Sequence, residues 1–131
     1  SVAKRSPIPN GNINKNPSIS IIDTENLEVL RTFNLESNQS YPSSLNIHNN
    51  QVYFINKHVY KIQNLNDSTA QIVWQNNNNT FYNLSIDPYV KDIYVTDAKD
   101  YVQNGTLFII DSNGNLKNEV NTGIIPKSIV F

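Results

Sequence analysis

Residues 81–121 form a unit of four short segments that have the composition and spacing of β-strands. The first segment alternates apolar and polar side chains, which predicts a strand with one buried face. Asn113-Gly114 is a strong signal for a tight hairpin between the last two segments. The four predicted strands are 81–87, 92–96, 106–110 and 116–121. No stretch of similar length has the helical spacing of apolar residues, so the unit is predicted to be all-β.

Parts of this unit recur elsewhere in the chain. Residues 42–47 and 126–131 share a Pro-x-Ser-apolar-x-apolar pattern, and residues 21–23 and 109–111 are both Ile-Ile-Asp. Residues 52–56 resemble residues 93–97. These separations are one or two multiples of roughly 42 residues, and a four-stranded propeller blade takes roughly 40 to 45. The repeats therefore predict an all-β fold of antiparallel four-stranded blades, part of a β-propeller.

Some of these residues also resemble a known family. Tyr94-Val95-Thr96-Asp97, the Ile22-Asp23-Thr24 run and residues 42–45 resemble the YVTN-type repeat of the YncE-like bacterial β-propellers. The resemblance covers roughly residues 18–131. Asp97 departs from the usual Asn, and Asn56 is followed almost at once by the next strand. The resemblance implies a surface-located binding or scaffolding propeller without shared catalytic residues.

The whole chain, residues 1–131, is predicted to be one propeller segment. Its predicted parts are 1–17 as a loop or remnant strand, 18–35 as a partial blade that lacks its first strand, 43–75 and 81–121 as blades, and 123–131 as a closing inner strand. Propellers typically need about 4 to 8 blades. We therefore expect either the C-terminal portion of a longer propeller or several copies that associate through exposed strand edges. A small β-sandwich is the remaining alternative.

Composition narrows the classes of partner and cofactor. The formal net charge is −1 and 16% of the residues are charged, which argues against general binding of nucleic acid or membrane surfaces. No apolar run is long enough to span a bilayer. The chain has no cysteine, which excludes disulfides, thiolate metal sites and cysteine catalysis. We expect no cofactor. The family resemblance implies an extracytoplasmic location, as a cell-surface lipoprotein, a periplasmic protein or a secreted one.

The predicted ligand-binding residues lie around the loop after the second strand of the 81–121 unit. They are Tyr41, Tyr82, Asp97, Lys99, Asp100 and Tyr101. In a propeller this loop shares a face with the connections between blades, and tyrosines there offer contact area with a hydrogen-bonding tip. The alternative is structural, with Asp97 and Asp100 accepting hydrogen bonds from loop N–H groups and Tyr101 packing on its own blade.

Other polar clusters carry weaker signals. Residues 111–115 have some features of a calcium loop, but position 12 would be Thr122, where an EF-hand has Glu, so a hairpin turn is favoured. His48 and His58 have no acidic partner at metal-ligand spacing. The Asn run at 76–79 is most simply a solvated loop. We predict neither a metal site nor a catalytic set.

These observations favour a non-enzymatic binding or scaffolding module with an unknown protein or small ligand. One alternative is a propeller hydrolase or lactonase whose metal site lies largely in missing blades. Another is a structural repeat used for assembly. Fold alone does not choose among them.

Overall fold

The structure is a computed structural model that describes residues 2–6, 16–35, 41–67 and 69–131. Every regular element in these ranges is a β-strand, and none of the described residues forms a helix. Short β-branched and aromatic runs separated by Asn, Asp and Gly explain this, because such runs suit a pleated, half-buried surface. The predicted all-β class is confirmed.

The first sheet has three antiparallel strands in the described part of the chain, with β2 in the middle. They are β1 (Val2–Ser6), β2 (Ser18–Asp23) and β3 (Glu28–Asn34). The ladder of β1 runs from Val2 opposite Ile22 to Ser6 opposite Ser18. Within the segment predicted as a loop or remnant strand, residues 2–6 are therefore a paired strand.

Within residues 41–67 and 69–131, the other two sheets each have four antiparallel strands in chain order. The middle sheet contains β4 (Ser43–His48), β5 (Gln51–Asn56), β6 (His58–Ile62) and β7 (Gln71–Trp74). The last sheet contains β8 (Phe81–Ile86), β9 (Ile93–Asp97), β10 (Asn104–Ile110) and β11 (Leu116–Ile124). Four strands thus lie within each of the predicted units 43–75 and 81–121, apart from the end of β11.

The strand β5 explains how the three sheets stack. Side chains alternate between the two faces of a strand, so Val52 and Phe54 join an apolar cluster with the first sheet. Tyr53 and Ile55 join a second cluster with the last sheet. Burial on both faces is why these four residues are a continuous apolar run, and full burial of one such side chain contributes about 1.5–3 kcal/mol. The middle sheet therefore lies between the other two.

At the junction of the middle and last sheets, β4 lies against β8. The Ser44 hydroxyl donates to the Tyr82 carbonyl oxygen at 3.3 Å. The Asn46 side-chain amide donates to the Leu84 carbonyl oxygen at 2.7 Å. Polar side chains of one first strand thus bind backbone groups of the next first strand, which fixes how the two sheets meet.

Residues 126–131 contact the last sheet without forming a strand. The Asn83 side-chain amide donates to the Lys127 carbonyl oxygen at 2.7 Å, and the Phe131 ring meets the Tyr94 ring edge-on with centroids 4.9 Å apart. Tyr94 alternates with the cluster residues Ile93 and Val95, so this contact is on the face turned away from the middle sheet. The structure differs here from the predicted strand at 123–131, of which 123–124 belong to β11.

The predicted hairpin between β10 and β11 is confirmed. The Gly114 N–H donates to the Asp111 carbonyl oxygen at 3.0 Å, and Gly114 has a φ of +86°. An added Cβ there would clash with the Val73 carbonyl oxygen of β7. Glycine is therefore required both by the backbone conformation and by the close approach of the middle sheet.

Candidate functional site

Successive loops of an antiparallel meander lie at opposite ends of its strands, and the predicted site lies at one of these ends. This end, which we call the loop face, consists of residues 41–42, 57, 75–80 and 98–103. All six predicted ligand-binding residues lie in or next to these segments. At the corresponding point the middle sheet turns through Lys57 alone, whereas the last sheet has the longer 98–103 loop. The last sheet therefore presents more side chains at the loop face.

Asp97 is the buried anchor of the loop face, with only 3% of its surface exposed. One carboxylate oxygen accepts the N–H groups of Thr80 and Lys99, at 2.9 and 2.8 Å. The other oxygen accepts the side-chain amide of Asn79 at 2.9 Å. The carboxylate therefore joins the connection between the sheets to the start of the 98–103 loop.

Asp100 shapes the same loop from its exposed side. Its Oδ1 accepts the N–H groups of Val102 and Gln103, each at 3.1 Å. These bonds, above all that from Val102, hold the pKa of the Asp100 carboxyl below its ordinary value. The ionised form is therefore the one that supports the turn.

Two residues of the loop adopt backbone conformations that are uncommon outside glycine. Lys99 has a φ of +50° and Tyr101 a φ of +67°, which costs about 1–2 kcal/mol for an L-residue in the left-handed region. The Tyr101 N–H donates to the Ala98 carbonyl oxygen at 2.9 Å. The hydrogen bonds to Asp97 and Asp100 offset this strain.

The loop places Tyr101 against Tyr82 at the surface. Their rings meet edge-on with centroids 6.0 Å apart, a favoured geometry for aromatic pairs. Tyr101 remains 47% exposed, and Tyr82 is half-buried. The structure thus brings together Tyr82, Lys99, Asp100 and Tyr101 on one loop-face surface.

Tyr41 lies in the wall of a neighbouring cleft of about 300 Å³ between the middle and last sheets. The cleft is also lined by Ser43, Ile55, Lys57, Asn76, Asn79, Thr80 and Phe81. Asn79 and Thr80 both donate hydrogen bonds to Asp97, so the buried carboxylate fixes one wall of this cleft. The cleft therefore connects Tyr41 to the rest of the predicted set.

Asn76 also organises the loop face, although the sequence favoured a simple solvated loop at 76–79. Its N–H donates to Nδ1 of His58 at 2.8 Å, and its side-chain amide donates to the carbonyl oxygens of Lys57 and Asn79. Asn77 and Asn78 are exposed, as expected for a loop. The sequence contained no signal for the His58–Asn76 bond, because the two residues meet only when β6 and the connection after β7 come together.

The described residues contain no group of three or more His, Asp or Glu side chains placed to hold a metal ion. His48 lies next to Asn49, with its Nε2 3.2 Å from the Asn49 amide. The described part of the chain also has no helix long and apolar enough to cross a membrane.

No protein-family model matches this chain, and no curated protein matches it.

Proposed function

We propose that the chain is a non-enzymatic binding or scaffolding module of the β-propeller type that acts outside the bacterial cytoplasm. The stacked antiparallel meanders, the spacing of the repeats and the contact between successive first strands support a propeller arrangement. The resemblance to the YVTN-type repeat supports the extracytoplasmic location.

The ring contact between Tyr101 and Tyr82 on the anchored 98–103 loop is the observation that carries the binding role. Tyr101 is 47% exposed and its ring meets that of half-buried Tyr82 edge-on, which leaves aromatic surface with a hydrogen-bonding tip open to a partner. Asp97 and Asp100 hold the loop, while Tyr82, Lys99 and Tyr101 offer aromatic surface and a cation to a partner. Tyr41 and the 300 Å³ cleft extend this surface between the sheets.

Arrays of peptides and glycans, probed with the purified chain, test this proposal. We expect at least one ligand whose affinity falls tenfold or more in Tyr101→Ala, because exposed aromatic anchors dominate binding energy. Tyr82→Ala should weaken the same ligand. Tyr89→Ala is the matched control, since Tyr89 is 86% exposed on the β8–β9 loop, at the end of the strands opposite the loop face. Equal binding by wild type and both loop-face variants, or equal loss in Tyr89→Ala, would remove the loop face as the site.

A further inference from the structure

A second cleft lies between the first and middle sheets, at the end of the strands opposite the loop face. Its volume is about 420 Å³, which is in the range of small-ligand pockets. The β4–β5 turn, the β6–β7 loop and β3 surround it. One cation, several amides and aliphatic side chains meet there, from Arg31, Asn50, Asn64, Asn66, Leu30 and Leu65. We call it the Arg31 cleft.

Arg31 is the charged group of this cleft and is held from two sides. Its Nη1 donates to the Asp67 carbonyl oxygen of the β6–β7 loop at 2.6 Å. Its guanidinium carbon lies 5.9 Å from the centre of the Phe33 ring, a distance at which a cation and a ring attract each other. The bond to Asp67 uses one of the five N–H donors of a guanidinium. The half-buried side chain is therefore fixed in position while retaining further donors.

Arg31 differs in its partners from Lys117, a cation of the last sheet. Lys117 forms an ion pair with Asp92. In the part of the chain that the structure describes, no Asp or Glu carboxylate lies within 4.0 Å of the Arg31 guanidinium. A planar guanidinium matches the two oxygens of a carboxylate and binds it with two parallel hydrogen bonds. Arg31 thus offers a charge that an anionic ligand can pair with.

Local hydrogen bonds fix the amide side of the Arg31 cleft. The Asn64 N–H donates to Oδ2 of Asp67 at 3.0 Å, and the Asp67 N–H donates to the Asn64 carbonyl oxygen at 2.8 Å. Oδ1 of Asn64 accepts the Asn66 N–H at 3.0 Å. Asn50 has a φ of +61° in the two-residue β4–β5 turn, a conformation that asparagine tolerates well. These polar residues are pre-positioned, which lowers the entropic cost of binding a ligand.

Aliphatic side chains complete the lining of the cleft. Leu30 is 57% exposed, and half-buried Leu65 packs against the apolar cluster that joins the first and middle sheets. Covering such surface with an apolar group is favourable, because it removes the surface from water. A bare inorganic anion would leave these side chains wet, whereas an organic acid with an aliphatic body would cover them.

We propose that the Arg31 cleft binds the carboxylate of a small organic acid with an aliphatic body, such as an N-acyl amino acid. Arg31 pairs with the carboxylate, the asparagine amides bond the other polar groups of the ligand, and Leu30 and Leu65 cover its aliphatic chain. This site is distinct from the loop face, lies at the other end of the strands and does not depend on the proposed propeller arrangement.

The first test is an NMR titration of the wild-type chain with N-acetylleucine. We expect saturable shifts of the Arg31 Nε–H resonance and of the Asn64 and Asn66 side-chain amides. N-acetylleucinamide has the same body without the charge, so it should bind at least about tenfold more weakly, as expected for the loss of charge-assisted hydrogen bonds. Inorganic phosphate should also bind more weakly. No saturable shift with N-acetylleucine, or equal binding of either comparison ligand, would overturn the proposal.

The second test removes the cation. Arg31→Gln should weaken N-acetylleucine about tenfold or more, and Lys91→Gln is the matched control, because it removes one exposed positive charge from the β8–β9 loop of the last sheet. Arg31→Lys keeps the charge and loses the planar fork, so it should also bind more weakly and serves if Arg31→Gln does not fold. Undiminished binding in the folded Arg31 variants, or an equal loss in Lys91→Gln, would contradict the role of Arg31.

The third test addresses the aliphatic side of the cleft. Leu30→Ala should weaken N-acetylleucine about fourfold or more, the factor that corresponds to one buried methylene group. Leu27→Ala is the matched control, since Leu27 is 83% exposed on the β2–β3 turn and does not line the cleft. The same affinity in the wild type and Leu30→Ala would show that the ligand body is not covered as proposed and would overturn the aliphatic specificity.

Discussion

Two neighbouring regions of the molecule use the same kind of contact and have different secondary structure. At the inner junction, between β4 and β8, Asn46 and Ser44 donate to backbone carbonyl oxygens, and both segments are strands. At the outer junction, between the last sheet and residues 126–131, Asn83 donates to Lys127 in the same way, but the second segment is not a strand. The contact between sheets is therefore not what makes a strand.

The difference comes from the backbone. A strand forms when its N–H and C=O groups pair with a neighbour in its own sheet. β4 has β5 beside it and forms a ladder from Ser43 to His48. Residues 126–131 have the matching side-chain pattern, yet no strand of the last sheet pairs with their backbone N–H and C=O groups.

Removing the apolar centre of the inner junction should lower the free energy of unfolding more than any other change predicted below. Leu84, which is 1% exposed, packs in the cluster that joins the middle and last sheets. Leu84→Ala should lower the free energy of unfolding by about 2–5 kcal/mol, because it leaves a cavity. Urea denaturation measures this, with Val90→Ala on the exposed β8–β9 loop as the control. A change below 1 kcal/mol, on the scale of such substitutions, would mean that the sheets are not joined through this cluster.

Asp97 provides the second comparison, because the middle sheet has buried Asn56 at the corresponding position. Asp97→Ala should destabilise the chain by about 1–3 kcal/mol by leaving the Thr80, Lys99 and Asn79 donors without their acceptor. Asp97→Asn should cost less, since its carbonyl oxygen can still accept. Thermal unfolding of the two variants measures the difference. Identical midpoints for wild type and Asp97→Ala would contradict the anchoring role.

The two junctions can be compared by removing one side-chain amide at a time, that of Asn46, which bonds across the inner junction, and that of Asn83, which bonds across both. Asn46→Ala should cost about 1 kcal/mol, a typical net value for an intramolecular hydrogen bond. Asn83→Ala should cost about 1–2 kcal/mol, because it removes the exposed bond to the Lys127 carbonyl oxygen and also the Oδ1 that accepts the Ser44 hydroxyl at 2.9 Å. Hydrogen exchange should accelerate in residues 127–131 only for Asn83→Ala. Equal acceleration in both variants would show that the junctions are coupled.

Acid should affect the turns before it affects either junction, and this is the smallest effect. Hydrogen bonds from loop N–H groups, with that of Asn115 foremost, hold the pKa of Asp111 below its ordinary value of 3.8. Because the pKa of Asp111 is lower in the folded chain than in the unfolded one, its ionised carboxylate stabilises the fold above pH 3.8. This stabilisation is lost as the pH falls through the folded pKa. The amide resonances of Asn113 and Asn115 should titrate below pH 3.8, and a midpoint above it would contradict this.

The sequence predicted most of the strands from local patterns. Alternation in 81–87 and the Asn113-Gly114 turn correspond to β8 and the β10–β11 hairpin. These features are local, because residue period and turn chemistry act within a few positions. Residues 2–6 were predicted only as part of a loop or remnant strand, because the prolines at 7, 9 and 17 suit neither a helix nor a central strand.

The candidate site was predictable in position and less so in detail. The clustering of Asp97, Asp100 and Tyr101 follows from one loop, but the burial of Asp97 depends on Asn79 and Thr80 from the preceding connection. The Tyr82–Tyr101 ring contact and the His58–Asn76 bond likewise join segments that are far apart in sequence. The ligand-binding role predicted for Tyr41, Tyr82, Asp97, Lys99, Asp100 and Tyr101 stays a prediction.

Residue order alone was enough to establish that this chain folds into short antiparallel strands with a repeated pattern, because side-chain alternation and turn residues are local properties. Which strands are buried on both faces, which carboxylate is buried, and whether residues 126–131 become a strand were decided by the stacking of the sheets. Those outcomes depend on which backbone and side-chain groups meet across the sheets, and neighbours distant in sequence supply them.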